Sequence, residues 1–187
     1  MTTRREERPA KKMKPMFLVF CEGETEEKYL DFLRREYKSP IKIIVKKEGA
    51  RISQHLIDSR KKELKISSRD CVKTFLLYDL DVVAINQKLK NCKATFLCSN
   101  PCIELWFLLH CKNQSSFIQT NKCIDELTKM GNVWQNYKKP NLTETQKKYL
   151  WDKKFEALTR AKILTEGANP SSAVYKILEQ LEENRNK

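Results

Sequence analysis

Acidic residues stand where apolar runs stop. Glu22 follows the continuous run Met16-Phe17-Leu18-Val19-Phe20-Cys21, and Asp79 and Asp81 follow a second run at residues 72–78. Three carboxylates brought together need compensation, because like charges a few ångströms apart repel strongly at reduced dielectric. Protons or divalent cations must neutralise them. Hard oxygen ligands suit Mg2+ or Mn2+, with water completing an octahedral shell. Glu26 lies one helical turn beyond Glu22, so its carboxylate can point back to the same place. Asp79 and Asp81 are two residues apart, which on an extended chain puts both side chains on one face. Gly23 permits a tight turn or a close backbone approach. Plainer explanations stand beside these. Acidic residues often form turns, and Glu24, Thr25 and Glu26 suit the start of a helix, with Thr25 as its N-cap.

The elements that must position these residues alternate along the chain. The first apolar run has the composition of a strand buried on both faces, the kind found in parallel sheets. Residues 26–37 are helical in composition and place Tyr29, Phe32 and Leu33 on one face. Residues 41–45 form a β-branched run, 52–64 an amphipathic helix, 72–78 another strand, 82–89 a short helix or loop, and 94–98 a fourth strand. Ser99-Asn100-Pro101 breaks the chain before a strongly apolar helix at 103–110. Strands alternating with helices predict a mostly parallel sheet covered on both faces. In such sheets, sites form beyond the carboxyl ends of the strands. If the first and third strands are neighbours, Glu22, Asp79 and Asp81 converge on one edge.

Beyond about residue 121 the pattern is helical only. A helix is expected at 122–130, then a loop with Gly131, Asn132 and Pro140. Thr143-Glu144-Thr145-Gln146 fits a capping box opening a helix to about Lys162. Asn169-Pro170-Ser171 precedes a last helix with Val174, Ile177, Leu178 and Leu181 on one stripe. The expected organisation is a basic flexible tail at 1–14, an α/β core at 15–120 and a C-terminal helical region at 121–187 packed on that core.

Glu22-Gly23-Glu24-Thr25-Glu26 after one strand and Asp79-Leu80-Asp81 after another resemble the signature of Toprim domains. Ser99-Asn100-Pro101-Cys102-Ile103-Glu104-Leu105-Trp106 and Asn169-Pro170-Ser171-Ser172-Ala173-Val174-Tyr175 resemble two further segments of the RloB-like family. That family groups small Toprim proteins of bacterial abortive-infection and restriction-linked loci, and the likeness runs from about Phe17 to Leu181. The resemblance implies a Toprim-like, Rossmann-like α/β fold and a metal-dependent nuclease of an anti-phage system, acting on DNA or RNA, including tRNA. Glu22, Asp79 and Asp81 would be the catalytic set, with Glu22 as general base or metal ligand. Asp79 and Asp81 would complete the position of a principal Mg2+ or Mn2+, Glu26 would be a ligand of a second metal, and Glu104 a further candidate ligand. Ser99 could hydrogen-bond a ligand water or a phosphate, or cap the following helix, as could Asn100. The resemblance further implies an ATPase partner of the ABC or SMC-like class. Leu80, Val82 and Val83 depart from the family, which often has Arg between the aspartates and a further acidic residue after them. A non-catalytic regulatory subunit that keeps the Toprim shell is therefore the alternative.

Composition sets the remaining bounds. The chain has 187 residues, 40% hydrophobic and 33% charged, enough for one domain with a helical appendage. No apolar run approaches the roughly 20 residues that span a bilayer, and no signal peptide is visible, so no membrane association is expected. Seven cysteines without a CxxC pair suit reduced thiols acting as apolar fillers in the cytoplasm. The net charge of +13 suits a polyanionic partner such as nucleic acid. Lys153, Lys154, Arg160 and Lys162, on one basic helix, are the candidates for holding it or for stabilising a phosphorane-like transition state. His110 adjoins an apolar run and is expected in the core, as is Trp106. No P-loop motif occurs, so nucleotide-driven activity would come from a partner. A homo-oligomeric state is left open.

Overall fold

A sheet buried on both faces organises the molecule. The structure, a computed structural model, describes residues 15–39, 41–45, 51–67 and 70–185. The expected tail at 1–14 lies outside the described residues. Strand β1 (Met16–Cys21) lies between β2 (Ile41–Val45) and β3 (Val72–Leu77), and β4 (Thr95–Phe96) adds to β3. All three pairings are parallel, with Cys21 opposite Leu77. The order β2-β1-β3-β4 is that of a doubly wound sheet, whose connections reverse direction between β1 and β3. The mostly parallel α/β sheet flanked by helices is present, consistent with a Toprim-like fold.

Alternation along the two central strands feeds two cores. Phe17, Val19 and Cys21 of β1 join Phe75 and Leu77 of β3 on one face. Leu18 and Phe20 join Leu76 and Tyr78 on the other, under Ile57 of α2 (Gln54–Glu63) and Ile85 and Leu89 of α3 (Val83–Lys90). The first face carries α1 (Glu24–Tyr37) and α4 (Ile103–Cys111). In α4 every residue from Ile103 to His110 is buried, as expected of a helix that is apolar all round. Helices α5 (Thr120–Thr128), α6 (Glu144–Asp152), α7 (Lys154–Lys162) and α8 (Tyr175–Arg185) complete that layer. Leu127, Trp134, Leu150, Ala157, Ile177 and Leu181 belong to the same apolar cluster as Phe17, so the C-terminal region shares the core of the sheet.

Local chemistry explains where the elements differ from expectation. The N-cap of α1 is Gly23, and Thr25 is buried inside the first turn. Glu24, Glu26 and Glu27 in that turn complement the helix dipole, so no side-chain cap is required. The capping box of Thr143 and Gln146 is present, but the long helix breaks at Lys153 into α6 and α7. The break lets Trp151 pack edge-on against Tyr37 while Ala157 and Ala161, small and buried, face inward along α7. Ser99-Asn100 does not simply interrupt the chain. It forms β5 (Ser99–Asn100), antiparallel to β6 (Ser171–Ser172), so the two family-like segments meet in space.

Polar atoms inside this core are partly paired: among the described residues, His110 Nε2 and Trp134 Nε1 are buried without a hydrogen-bond partner, while others join elements. Trp106 Nε1 donates to Tyr29 Oη at 2.8 Å, joining α4 to α1. His110 is buried, its Nδ1 is 2.8 Å from the Trp106 carbonyl, and burial lowers its pKa to about 3, so it is neutral at physiological pH. Removing the phenol should therefore be felt. Tyr29→Phe leaves the indole N–H buried without its acceptor and is expected to cost about 1–3 kcal/mol, measured as a lower urea midpoint with unchanged slope.

Candidate functional site

The connections reverse between β1 and β3, which in doubly wound sheets is where a ligand crevice lies, and acidic residues gather at the carboxyl ends of those strands. Glu22 leaves β1 directly, and its Oε2 accepts from the Asp79 backbone N–H at 3.4 Å. Asp79 sits two residues beyond β3, bridged to Ser99 in parallel fashion. Glu26 comes from the first turn of α1 and Glu104 from the first turn of α4, and both are buried. Four carboxylates from four elements thus share one region.

Glycine makes one of these placements possible. Gly23 is extended, with φ −139°, so its backbone asks for no special residue. The constraint is space: a Cβ there would lie 3.0 Å from Glu26 Oε2. The Glu26 carboxylate folds back over the turn, as the one-turn spacing from Glu22 suggested. Gly23→Ala is expected to displace that carboxylate and leave the rest of α1 in place. If the cluster holds a divalent cation, Mn2+ affinity, followed by electron paramagnetic resonance, should fall about tenfold or more while the thermal midpoint changes little.

Two residues that the sequence reading missed complete the cluster. Tyr137 Oη donates to Glu104 Oε1 at 2.8 Å, and Lys139 Nζ lies 2.9 Å from Glu104 Oε2. The second contact is an ion pair at hydrogen-bond distance, so the ammonium compensates the charge of a fully buried carboxylate. Both residues come from the loop between α5 and α6, which also holds Lys129 and Lys138. No spacing or motif there distinguishes them, and only the fold brings them to the crevice.

The electrostatics follow from this arrangement. Burial, then the neighbouring Glu26 and Glu104 carboxylates, push the Asp79 carboxyl up to about 9. Burial also raises Glu22, with Asp81 adding to it, and raises Glu26, with Glu104 and Glu22 adding. Lys139 opposes all three shifts. Burial pulls the Lys139 ammonium down, but the Glu104 carboxylate more than compensates and the net shift is upward. One ammonium thus faces four carboxyl groups, and a proton on Asp79 supplies part of the remaining compensation.

The other expected site residues lie as follows. Asp81 is exposed in a bend, because the chain leaves the extended geometry after Asp79, and the two aspartates do not share one face of a strand. It stays close enough to raise Glu22. Ser99 Oγ is 2.9 Å from Ser172 Oγ, and its backbone pairs with Tyr78 and Leu80, so it ties the β5–β6 ribbon to the Asp79 turn. Asn100 Nδ2 donates to the Gly167 carbonyl at 3.1 Å, and Cys102 is the N-cap of α4. The four basic candidates each face a carboxylate. Lys153 lies 2.7 Å from Glu156, Lys154 3.6 Å from Glu182 and Arg160 3.3 Å from Glu156, while Lys162 pairs with Glu179. Arg160 also donates to the Leu109 carbonyl at 2.7 Å, at the end of α4 away from Glu104. Lys154 further lies over the Trp151 ring, 3.8 Å from its centroid.

The donor set suits a hard divalent cation. It is all oxygen, partly desolvated and short of positive charge, which is the condition such an ion relieves. Glu22, Glu26, Asp79 and Glu104 are the residues that could hold it. Among the described residues, no three His, Cys, Asp or Glu side chains stand as a ready-made ligand group, and Glu104 is already engaged by Tyr137 and Lys139. Loading a cation would therefore involve moving the ammonium or turning a carboxylate.

Comparison with known proteins adds one finding. The family model described as RloB-like protein matches residues 17–181. No curated protein and no solved structure matches the chain.

The raised Asp79 carboxyl fixes the sign of a pH effect. Between its ordinary value of 3.8 and about 9, the folded protein holds a proton that the unfolded chain has released. Stability of the protein in chelator should thus fall as pH rises through that window. Asp79→Asn, which mimics the protonated carboxyl, should flatten the slope and raise the alkaline-side thermal midpoint. Parallel curves for variant and wild type would remove Asp79 as the source.

Proposed function

Because the chain belongs to the RloB-like protein family, and because its carboxylates gather at the switch point of the sheet, we propose that it is a metal-dependent nuclease of an anti-phage system. The carboxylate cluster is the observation that carries the reading. In doubly wound sheets the crevice at the reversal is where ligands bind. A cluster of partly buried carboxylates is also what phosphodiester chemistry with Mg2+ or Mn2+ uses.

Glu22, Glu26, Asp79 and Glu104 would hold the ion, with Asp81 at the solvent side. Such an ion supplies charge for a phosphate oxygen and lowers the pKa of water. The rest falls to the chain. Glu22, half-buried and with its pKa raised by burial, would accept a proton from the attacking water. Lys139 keeps its ammonium in the crevice and can meet a phosphate that displaces it from Glu104. Tyr137 holds Glu104 in place through its hydroxyl. DNA and RNA, tRNA included, remain the substrate classes of the proposal. An ATPase partner of the ABC or SMC-like class and a cytoplasmic setting complete it; seven thiols without a disulfide support the latter. Among the described residues, no helix is long and apolar enough to cross a membrane.

One observation favours a second reading. Tyr137 and Lys139 already engage Glu104, and a shell closed by its own lysine would suit a non-catalytic subunit that binds nucleic acid or an ATPase. Turnover separates the two. With Mg2+ or Mn2+ the protein, supplied with its ATPase partner if inactive alone, should cleave nucleic acid. Glu22→Ala and Asp79→Ala should each reduce the rate by about 100-fold or more. Folded variants with full activity would refute the site, and metal-independent binding without cleavage would favour the regulatory subunit.

A further inference from the structure

The sheet has an incomplete edge at the end opposite the carboxylates. Strand β4 covers only Phe75 and Leu76 of β3. Among the described residues, no strand flanks the first half of β3, Val72, Lys73 and Thr74, on that side. An uncovered strand edge presents backbone N–H and C=O groups and is a template for another strand.

A cleft of about 580 Å3 lies along this edge. Val72 to Phe75 form part of its lining. Lys61 of α2 and Lys93, which follows α3, line it from the layer on one face of the sheet, and Lys176 and Glu179 of α8 from the layer on the other. The cleft therefore separates the two helical layers, and the β3 edge lies between them. Its charge is lopsided. Four lysines, Lys61, Lys73, Lys93 and Lys176, meet one carboxylate, Glu179, which already pairs with Lys162. Lys73 hydrogen-bonds Gln180, and Lys176 pairs with Glu166 at 2.6 Å. Among the described residues, Lys61 and Lys93 have no ion-pair partner.

We propose that this edge receives an extended acidic segment of a partner protein, added to the sheet as a strand beside Val72–Thr74. Backbone pairing would supply the register, and acidic side chains alternating to the two sides would meet Lys61 and Lys93 on one and Lys73 and Lys176 on the other. Three residues of strand cover about 10 Å, and Thr74 stands about 16 Å along the strand from Asp79. The proposal does not depend on the carboxylates at the far end.

The test uses the full chain and an eight-residue Glu-Val peptide of Glu-Glu-Val-Val repeats, which carries Glu on both faces of a strand, with a Lys-Val peptide of the same pattern and a proline-interrupted Glu-Val peptide as controls. Binding is read by fluorescence anisotropy, and hydrogen exchange is read at the amides of residues 72–74. The Glu-Val peptide should bind, slow exchange at the Thr74 amide about tenfold or more, and weaken about tenfold in the Lys61→Glu/Lys93→Glu variant, whose surface changes leave the core intact. The proline peptide should bind more weakly than its parent. Equal binding of the Lys-Val peptide, binding without slowed exchange, or no binding at millimolar peptide would each overturn the proposal. So would a single-stranded oligonucleotide that slows these amides when the acidic peptide does not.

Discussion

Like charges held together at reduced dielectric are the constraint on which this molecule turns. Burial, then the neighbouring Glu26 and Glu104 carboxylates, push the Asp79 carboxyl up to about 9, so it favours its proton at neutral pH. Everything that packs β1, β3, α1 and α4 around the crevice works against that repulsion. The apolar faces of the sheet supply the favourable term, and Lys139 and one proton supply the local compensation. A carboxylate cluster of this sort is weak evidence of stability and much better evidence of a ligand, because packed apolar side chains would serve a purely structural role at lower cost.

The supports of the crevice are themselves linked. The Asp79 turn is fixed by Leu80 N donating to the Ser99 carbonyl at 2.8 Å and Ser99 N donating to the Tyr78 carbonyl at 3.1 Å. Ser99 is held in turn by the antiparallel ribbon with Ser171–Ser172, and Ala173 N donates to the Cys98 carbonyl at 2.9 Å. A segment more than seventy residues away in sequence thus helps set the position of Asp79. Glu104 depends on α4, whose other end is held through Arg160 on the Leu109 carbonyl. The C-terminal helices therefore reach the site by two routes, although none of their side chains lies among its carboxylates.

Much of this was legible in the sequence because it rests on strong local signals. Continuous apolar runs named β1 and β3, and their abrupt acidic ends named Glu22 and Asp79. Parallel pairing then followed from the alternation of strands with helices. The Ser-Asn-Pro segment led to Glu104, whose burial at the start of α4 has no local sequence signal of its own. What could not be read was tertiary. Tyr137 and Lys139 sit in a loop whose composition matches that of many surface turns, and their role comes from where α5 and α6 carry that loop. The side of Asp81 was misjudged for a local reason: two-residue spacing speaks for a shared face only while the chain stays extended, and it bends at Leu80. The pairing of the basic helix could not be read for a global one, since a run of cations says nothing about the carboxylates that folding brings against them.

The disposition of charge is the last consequence. A chain with net +13 keeps a concentrated acidic crevice at one end of its sheet and a lysine-lined cleft along an edge toward the other. A phosphate approaching the crevice meets carboxylates at short range and a positive protein at long range. Long-range attraction can raise the encounter rate of a polyanion, but close approach needs the local negative charge to be offset first. Lys139 offsets only part of it. The protonation of Asp79 offsets more, and it is reversible in a way a fixed lysine is not. On the proposed reading a divalent ion takes the place of that proton, so the same crowding that costs stability also prepares the site to exchange protons for a cation.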